Sequence, residues 1–302
     1  MLSEVFYWLL NMSVSASIAG ICLILLRRIR KIPRRILYLL WVLPLFRMWI
    51  PIGMNSPYSL LSLISKITTK AVPIYQGSVA FSMTNYVMAA NTYFPIAYKS
   101  SCLETAFQIA SAVWVVVATA LLLAMLLLYI ATKSELKDAR HLRDNLYVSD
   151  RVTATAVYGI FGAKIILSQA DEEADLRFIL LHENIHIKRR DNLWRMVGII
   201  TACLHWFNPL SWLFLKLFFT DLELACDEAV LAQCGEAEKK NYANALLNGI
   251  ERKSLYVSAF GGAKVRVRID RILSYQRLSI VAAIFLATLS VVIGYILLTN
   301  AI

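Results

Sequence analysis

The stretch Leu181-His182-Glu183-Asn184-Ile185-His186 decides how this chain is read. It has the form H-E-x-x-H. On a helix, His182 and His186 stand at i and i+4, so both imidazoles leave one face and can hold one Zn²⁺. Glu183 then lies beside the metal, placed to take a proton from the attacking water. The flanks favour a helix. Asp171-Glu172-Glu173-Ala174-Asp175 puts acidic residues at its N-terminal end, and Leu176-Arg177-Phe178-Ile179-Leu180-Leu181 continues it as a mostly apolar run. The plain alternative is an ordinary helix with two histidines.

A catalytic zinc site needs a third protein ligand and an open fourth position. Asp221-Leu222-Glu223-Leu224-Ala225-Cys226-Asp227-Glu228 supplies one. Glu223 and Asp227 are again i and i+4 on one face. Glu223 is expected to ligate the metal. Asp227 is expected to accept the other ring N–H of a liganding histidine and fix its tautomer. A solvated acidic face is the ordinary alternative. Against it stand Leu222, Leu224, Ala225, Ala229 and Val230, which make this helix mostly apolar and an unpaired carboxylate costly.

H-E-x-x-H followed by E-x-x-x-D-E is the gluzincin arrangement. The surrounding text resembles the BlaR/MecR-type membrane metallopeptidases, antibiotic-sensing transducers of Gram-positive bacteria. It comprises His182 to Asp191, then Trp206-Phe207-Asn208-Pro209-Leu210, then Glu223 to Glu228. The resemblance is specific around residues 150–270 and architectural elsewhere. It implies a zinc endopeptidase that cuts itself or a cytoplasmic, dimeric transcriptional repressor. Those transducers continue into an external penicillin-binding domain. None follows the last apolar run here, so the expectation is a short relative without that sensor, or a fragment. Direct β-lactam acylation is not carried over.

Composition agrees with a membrane protein. The 302 residues are 59% hydrophobic and 17% charged, with a mean hydropathy of +0.60. A soluble domain is typically about 45–50% apolar and 25% charged. The formal net charge of +11 does not call for direct nucleic-acid binding. Much of it sits beside apolar runs, where Lys and Arg mark the cytoplasmic side.

The expected fold is a mainly α integral membrane protein. About four transmembrane helices carry a cytoplasmic α+β, zincin-like domain inserted between spans three and four. Residues 1–52 read as two spans joined by a basic cytoplasmic loop. Val5 to Leu26 is uncharged and long enough to cross. A signal peptide is the alternative, but no basic region precedes this run and no obvious cleavage site follows it. Arg27, Arg28, Arg30, Lys31, Arg34 and Arg35 place the loop inside and the N-terminus outside. In the second run, Ile36 to Ile52, Pro44 is expected to kink the helix and Arg47 to snorkel to the outer interface. Residues 53–104 form an extracellular loop, either a signal sensor or a lid over the spans. Residues 105–131 and 278–299 are the third and fourth transmembrane helices.

Residues 132–277 form the cytoplasmic protease domain. Val152–Ala156, Val157–Phe161 and Lys164–Leu167 read as short strands. Ala163–Leu167 is expected at a sheet edge, free to pair with substrate backbone; a plain core strand is the alternative. The apolar stretch at about 193–219 cannot be a single crossing, because Glu223 must return to His182. It is expected to form a membrane-associated helical hairpin broken at Asn208-Pro209. His205 within it reads as an interior histidine. By analogy with gluzincins, Tyr242 donates to the oxyanion of the tetrahedral intermediate; a packing tyrosine is the alternative. The resemblance places self-cleavage at Ala259–Phe260. The five cysteines are odd in number, and Cys226 and Cys234 fall on the cytoplasmic side, which argues against a disulfide framework.

The implied partners are membrane lipid, a cytoplasmic repressor, a second copy of the chain and a separate sensor protein. Two other readings compete with the regulatory protease. One is a membrane quality-control metalloprotease of the HtpX type. The other is a non-enzymatic, zinc-stabilised receptor.

Overall fold

The structure is a computed structural model. It describes residues 2–29, 32–50, 101–152, 155–171, 176–235, 237–250 and 265–275, with 288, 289, 291, 292, 294 and 295. The stretch expected as an extracellular loop, through residue 100, the Ala259–Phe260 bond and most of the expected fourth span lie outside the described residues.

The protein is mostly helical. Among the described residues, two helices are long and apolar enough to cross a bilayer: α1 (Leu2–Arg27) and α4 (Ser101–Glu135). They differ in what surrounds them. Half of the apolar window of α1 is buried inside the protein, against 6% of that of α4. Leu123, Leu126, Leu127 and Ile130 of α4 are exposed, an apolar surface suited to lipid.

The second apolar run is two short helices, α2 (Arg34–Leu40) and α3 (Val42–Trp49), divided at Trp41. Pro44 accounts for the position of the break. It has no N–H to offer Leu40, and its ring crowds that carbonyl. Neither helix alone has the length of a span. Arg47, expected at the outer interface, is buried instead.

Two further helices form a hairpin, α6 (Asp191–Leu204) and α7 (Pro209–Cys234). Asn208 caps α7, accepting from the Leu210 N–H at 3.0 Å, with Pro209 in the first turn where no partner for an N–H is needed. The Asn208 amide also donates to Ser13 Oγ at 2.7 Å and Ser17 Oγ at 2.8 Å on α1. The Trp114 indole of α4 donates to Leu204 O at 2.8 Å. The bend of the hairpin is therefore sewn to both long helices. Midway along α7 the helix meets α1 again, where Asp221 receives Arg27. The intervals Asn208–Asp221 and Ser13–Arg27 are nearly equal, so the two helices run side by side in one direction. Gly20 permits this closeness. A Cβ there would sit 2.1 Å from the Phe214 ring.

A four-stranded sheet follows α4: β1 (Arg140–Arg143), β2 (Leu146–Ser149), β3 (Ala156–Tyr158) and β4 (Lys164–Ser168), in the order β1-β2-β4-β3. β4 pairs in parallel with β2 and antiparallel with β3. It is therefore an interior strand, which corrects the edge expected at Ala163–Leu167. Its run Ile165-Ile166-Leu167 is buried throughout, as a strand covered on both faces must be. Among the described residues the edges are β1 and β3. The carbonyls of Val157 on β3 and of Gly159 just after it each accept from the Asn192 amide at 3.0 Å. The sheet face formed by Leu146, Val148, Ile165 and Leu167 packs on Leu176, Leu180 and Ile187 of the helix that follows.

Candidate metal centre

That helix, α5 (Leu176–Arg189), carries the H-E-x-x-H stretch. Its sheet-facing residues fix its rotation, so His182 and His186 turn inward and are buried. Their Nε2 atoms lie 3.1 Å apart. α7 brings Glu223 alongside, with Oε2 at 3.7 Å from His182 Nε2 and Oε1 at 3.8 Å from His186 Nε2. Glu183 is half-buried and makes no hydrogen bond or ion pair among the described residues.

The outer contacts settle the tautomers. His186 Nδ1 lies 2.6 Å from Asp191 Oδ2, at the start of α6. A carboxylate only accepts, so Nδ1 carries the proton. On His182, Nδ1 lies 2.9 Å from Tyr242 Oη, and that hydroxyl donates to Asp227 Oδ1 at 2.6 Å. The hydroxyl proton is committed to Asp227, so the ring donates to the phenol oxygen. In its neutral form each imidazole, with Nδ1 protonated, turns an Nε2 lone pair toward the other ring. Two such lone pairs with a carboxylate beside them form a donor set that can hold a cation, and the Arg268 guanidinium lies against the same atoms. A nitrogen, nitrogen and oxygen set is one that Zn²⁺ accepts.

Tyr242 stands on α8 (Lys239–Ile250) and Arg268 on α9 (Val265–Leu273). Burial and then the Asp227 carboxylate push the Tyr242 phenol well above its ordinary pKa, so it stays neutral. With its hydroxyl engaged on both sides, Tyr242 positions His182 and is not free to donate to an oxyanion. Asp227 reaches His182 through Tyr242, its own oxygen being 3.5 Å from Nδ1. Arg268 grips Asp227 with two bonds, Nε to Oδ2 at 2.8 Å and Nη2 to Oδ1 at 2.6 Å. The same guanidinium lies 3.4 Å from His182 Nε2 and 3.5 Å from Glu223 Oε2. Burial would lower its pKa, but Asp227 outweighs this and keeps it cationic. Arg195 of α6 holds the other Glu223 oxygen. Burial alone would favour a neutral Glu223. A hydrogen bond from a protonated His182 and the charge of a protonated His186, with Arg195 and Arg268 after them, reverse this and hold it well below the usual carboxylate range.

Cys226 competes for the third place. A ring nitrogen of each histidine and Cys226 Sγ all fall within 4.8 Å of one another. Its thiol, however, donates to the His182 carbonyl at 3.5 Å, on the backbone side of the helix. Burial, and then Glu223 and Asp227, push its pKa well up. Glu223 is ionised and faces both Nε2 atoms. Glu223 and Cys226 are thus the two side chains placed to complete a set with His182 and His186.

A family model described as the BlaR1 peptidase M56 matches residues 7–268. This chain belongs to the M56 peptidase family. The family is membrane-associated, in keeping with the two long apolar helices. Among curated relatives, the regulatory protein BlaR1 of Bacillus licheniformis is 30% identical over 129 residues, 41% of this chain and 21% of that protein. The methicillin resistance mecR1 protein of Staphylococcus aureus is 24% identical over 114 residues, 36% of this chain and 20% of that protein. The regulatory protein BlaR1 of Staphylococcus aureus is 29% identical over 94 residues. Each match spans about a fifth or less of the relative's own length.

Three residues of this M56 centre escape the sequence reading. Asp191 had a signal: it is the one acid after Lys188-Arg189-Arg190, five residues beyond His186. Arg195 and Arg268 had none, since nothing local separates them from the other cations of a basic chain. His205 lies apart from the centre, buried, with Nε2 3.2 Å from Met48 O.

Proposed function

We propose that this chain is a multi-pass membrane, zinc-dependent endopeptidase that acts in signal transduction by cutting itself, a cytoplasmic transcriptional repressor, or both. The observation that carries the reading is the meeting of two bare Nε2 lone pairs with the Glu223 carboxylate, next to the unengaged carboxylate of Glu183. His182, His186 and Glu223 would hold the zinc, which when bound lowers the pKa of a water and polarises a carbonyl.

The chain's own groups account for the rest. Glu183 takes the proton of the attacking water and returns it to the leaving amine. Asp191 and the Asp227–Tyr242 pair keep the imidazoles in the tautomer that leaves Nε2 bare. Arg268, fixed by Asp227, offers N–H groups to a carbonyl oxygen gaining charge, the role expected of Tyr242.

The centre lies at the basic end of α1, because Arg27 binds Asp221, two residues before Glu223. Basic flanks mark the cytoplasmic side, which supports a cytoplasmic site and an external N-terminus. The printed names of the relatives, regulatory and resistance proteins, support the signalling role. By the same resemblance, self-cleavage falls at Ala259–Phe260. The partners are lipid, the repressor, a second copy of the chain and a separate sensor protein.

The test follows the purified full chain in detergent, beside Glu183→Ala, for length over time and for metal content. Wild type with about one zinc per chain, clipped near Phe260 while the variant stays whole, supports the proposal. Clipping of both at equal rates removes Glu183 from the chemistry. Absence of metal from both removes the centre.

A further inference from the structure

The helix α2, at the inner end of the second apolar run, touches both helices that carry the proposed metal ligands. Toward α7, the Arg34 and Arg35 amides donate to Glu228 at 2.9 and 3.2 Å, and Arg34 Nη1 donates to Asp221 at 3.0 Å. Toward α5 and α6, the Tyr38 hydroxyl lies 3.3 Å from Asp191 Oδ1, while the other Asp191 oxygen holds His186 Nδ1 at 2.6 Å. Asp191 is fully buried. Among the described residues its Oδ1 has one further partner, Arg189 Nε at 3.3 Å. The Tyr38 ring is itself fixed. It stacks on Phe218 with centroids 5.8 Å apart and planes at 10°, and carries the Arg189 guanidinium over its face at 4.4 Å.

From this geometry we infer that Tyr38 is a positioning residue for the metal centre, acting through Asp191 on His186. The inference rests on the metal-centre reading above and extends it outward to a residue of the second apolar run. A buried carboxylate needs each lone pair satisfied. Tyr38 and Arg189 share Oδ1, which leaves Oδ2 to point at His186. Without the phenol, Asp191 turns toward Arg189 and its hold on the imidazole loosens. Outer partners of metal-bound histidines typically matter by about 10–100-fold in affinity. Tyr38 acts one step further out, so the low end of that range applies.

The experiment measures Zn²⁺ and Co²⁺ affinity by chelator competition, on the full chain in detergent after metal removal. The proteins are wild type, Tyr38→Phe, Asp191→Asn and the double variant. Tyr38→Phe keeps the ring, its stacking and the fold. Trp49→Phe is the control, since it removes the 2.7 Å bond from Trp49 Nε1 to Thr201 on α6 without touching the ligands or their partners. The expected result is an affinity loss of about tenfold in Tyr38→Phe, with a shifted visible spectrum of the Co²⁺ form. The control should show neither. In the Asp191→Asn background, Tyr38→Phe should add nothing, because its path to His186 is already cut. An unchanged affinity and spectrum in Tyr38→Phe overturns the inference, as does a full additional loss in the double variant. If wild type binds no metal, the metal centre itself falls and the relay falls with it.

Discussion

Arg27, the last residue of α1, donates two hydrogen bonds to Asp221 of α7, Nε at 2.6 Å and Nη2 at 2.9 Å. Arg34 and the Trp41 indole complete the shell of a carboxylate that is wholly buried. One acid thus joins the first long helix, α2 and the break before α3 to the helix bearing Glu223. Asp221→Ala leaves two largely buried guanidiniums without a counter-charge. Breaking such a pair costs about 3–5 kcal/mol, more than a surface pair contributes. The thermal midpoint in detergent should fall accordingly. Asp221→Leu combined with Arg27→Met and Arg34→Met should recover part of the loss, since it removes charge and partners together. A fall under about 1 kcal/mol would mean that the cluster is solvated.

Gly20 sets two effects against each other. In an exposed helix, Gly→Ala stabilises by about 0.5–1 kcal/mol. Here the added Cβ would lie within 2.1–2.7 Å of three Phe214 ring atoms. Overpacking of a tight contact costs about 1–3 kcal/mol, so the clash wins. Gly20→Ala should destabilise, and Gly20→Leu more so. Phe214→Leu should relieve Gly20→Ala, a coupling that a double-mutant cycle on unfolding would show. A stabilised Gly20→Ala would place the two helices further apart than described.

Legibility divides by range. The pairing of His182 with His186 on one helix face could be read because i and i+4 spacing is a property of one helix, and its physics is local. The bend at Asn208-Pro209 could be read because the cap and the missing N–H act within a few residues. What could not be read depends on partners far along the chain. Arg27 and Arg34 look like lipid-side anchors until Asp221 is found against them. Arg268 looks like one more positive-inside residue until it is seen gripping Asp227. The order of the sheet was hidden for the same reason: Arg140–Arg143 and Leu146–Ser149 are strands because they pair, and their residue pattern does not announce it.

Arg268 offers a sharper test of geometry against charge. Lysine keeps the charge but cannot make the two parallel bonds to Asp227. Arg268→Lys should therefore lower stability by about 1–3 kcal/mol and slow peptide cleavage, with metal content maintained. Full activity in Arg268→Lys would show that charge alone is needed, and would remove the guanidinium from the proposed role at the carbonyl oxygen.

The third ligand is decided by comparing Glu223→Gln with Cys226→Ala. Glutamine keeps the shape of Glu223 but loses its charge, and with it the pull of Arg195 and Arg268 on that side chain. Its zinc affinity should fall by more than the roughly 10–100-fold typical of an outer partner. Cys226 is fully buried, so alanine there leaves a small void and costs about 1 kcal/mol, while metal affinity stays near wild type. Cobalt gives an independent reading. A thiolate ligand adds an intense near-ultraviolet charge-transfer band, whereas a carboxylate does not. Wild type should lack that band, because the Cys226 thiol is turned to the His182 carbonyl. A strong band that vanishes in Cys226→Ala would transfer the ligand role from Glu223 to Cys226, and Glu223 would then be the partner that the two arginines hold ready beside the metal.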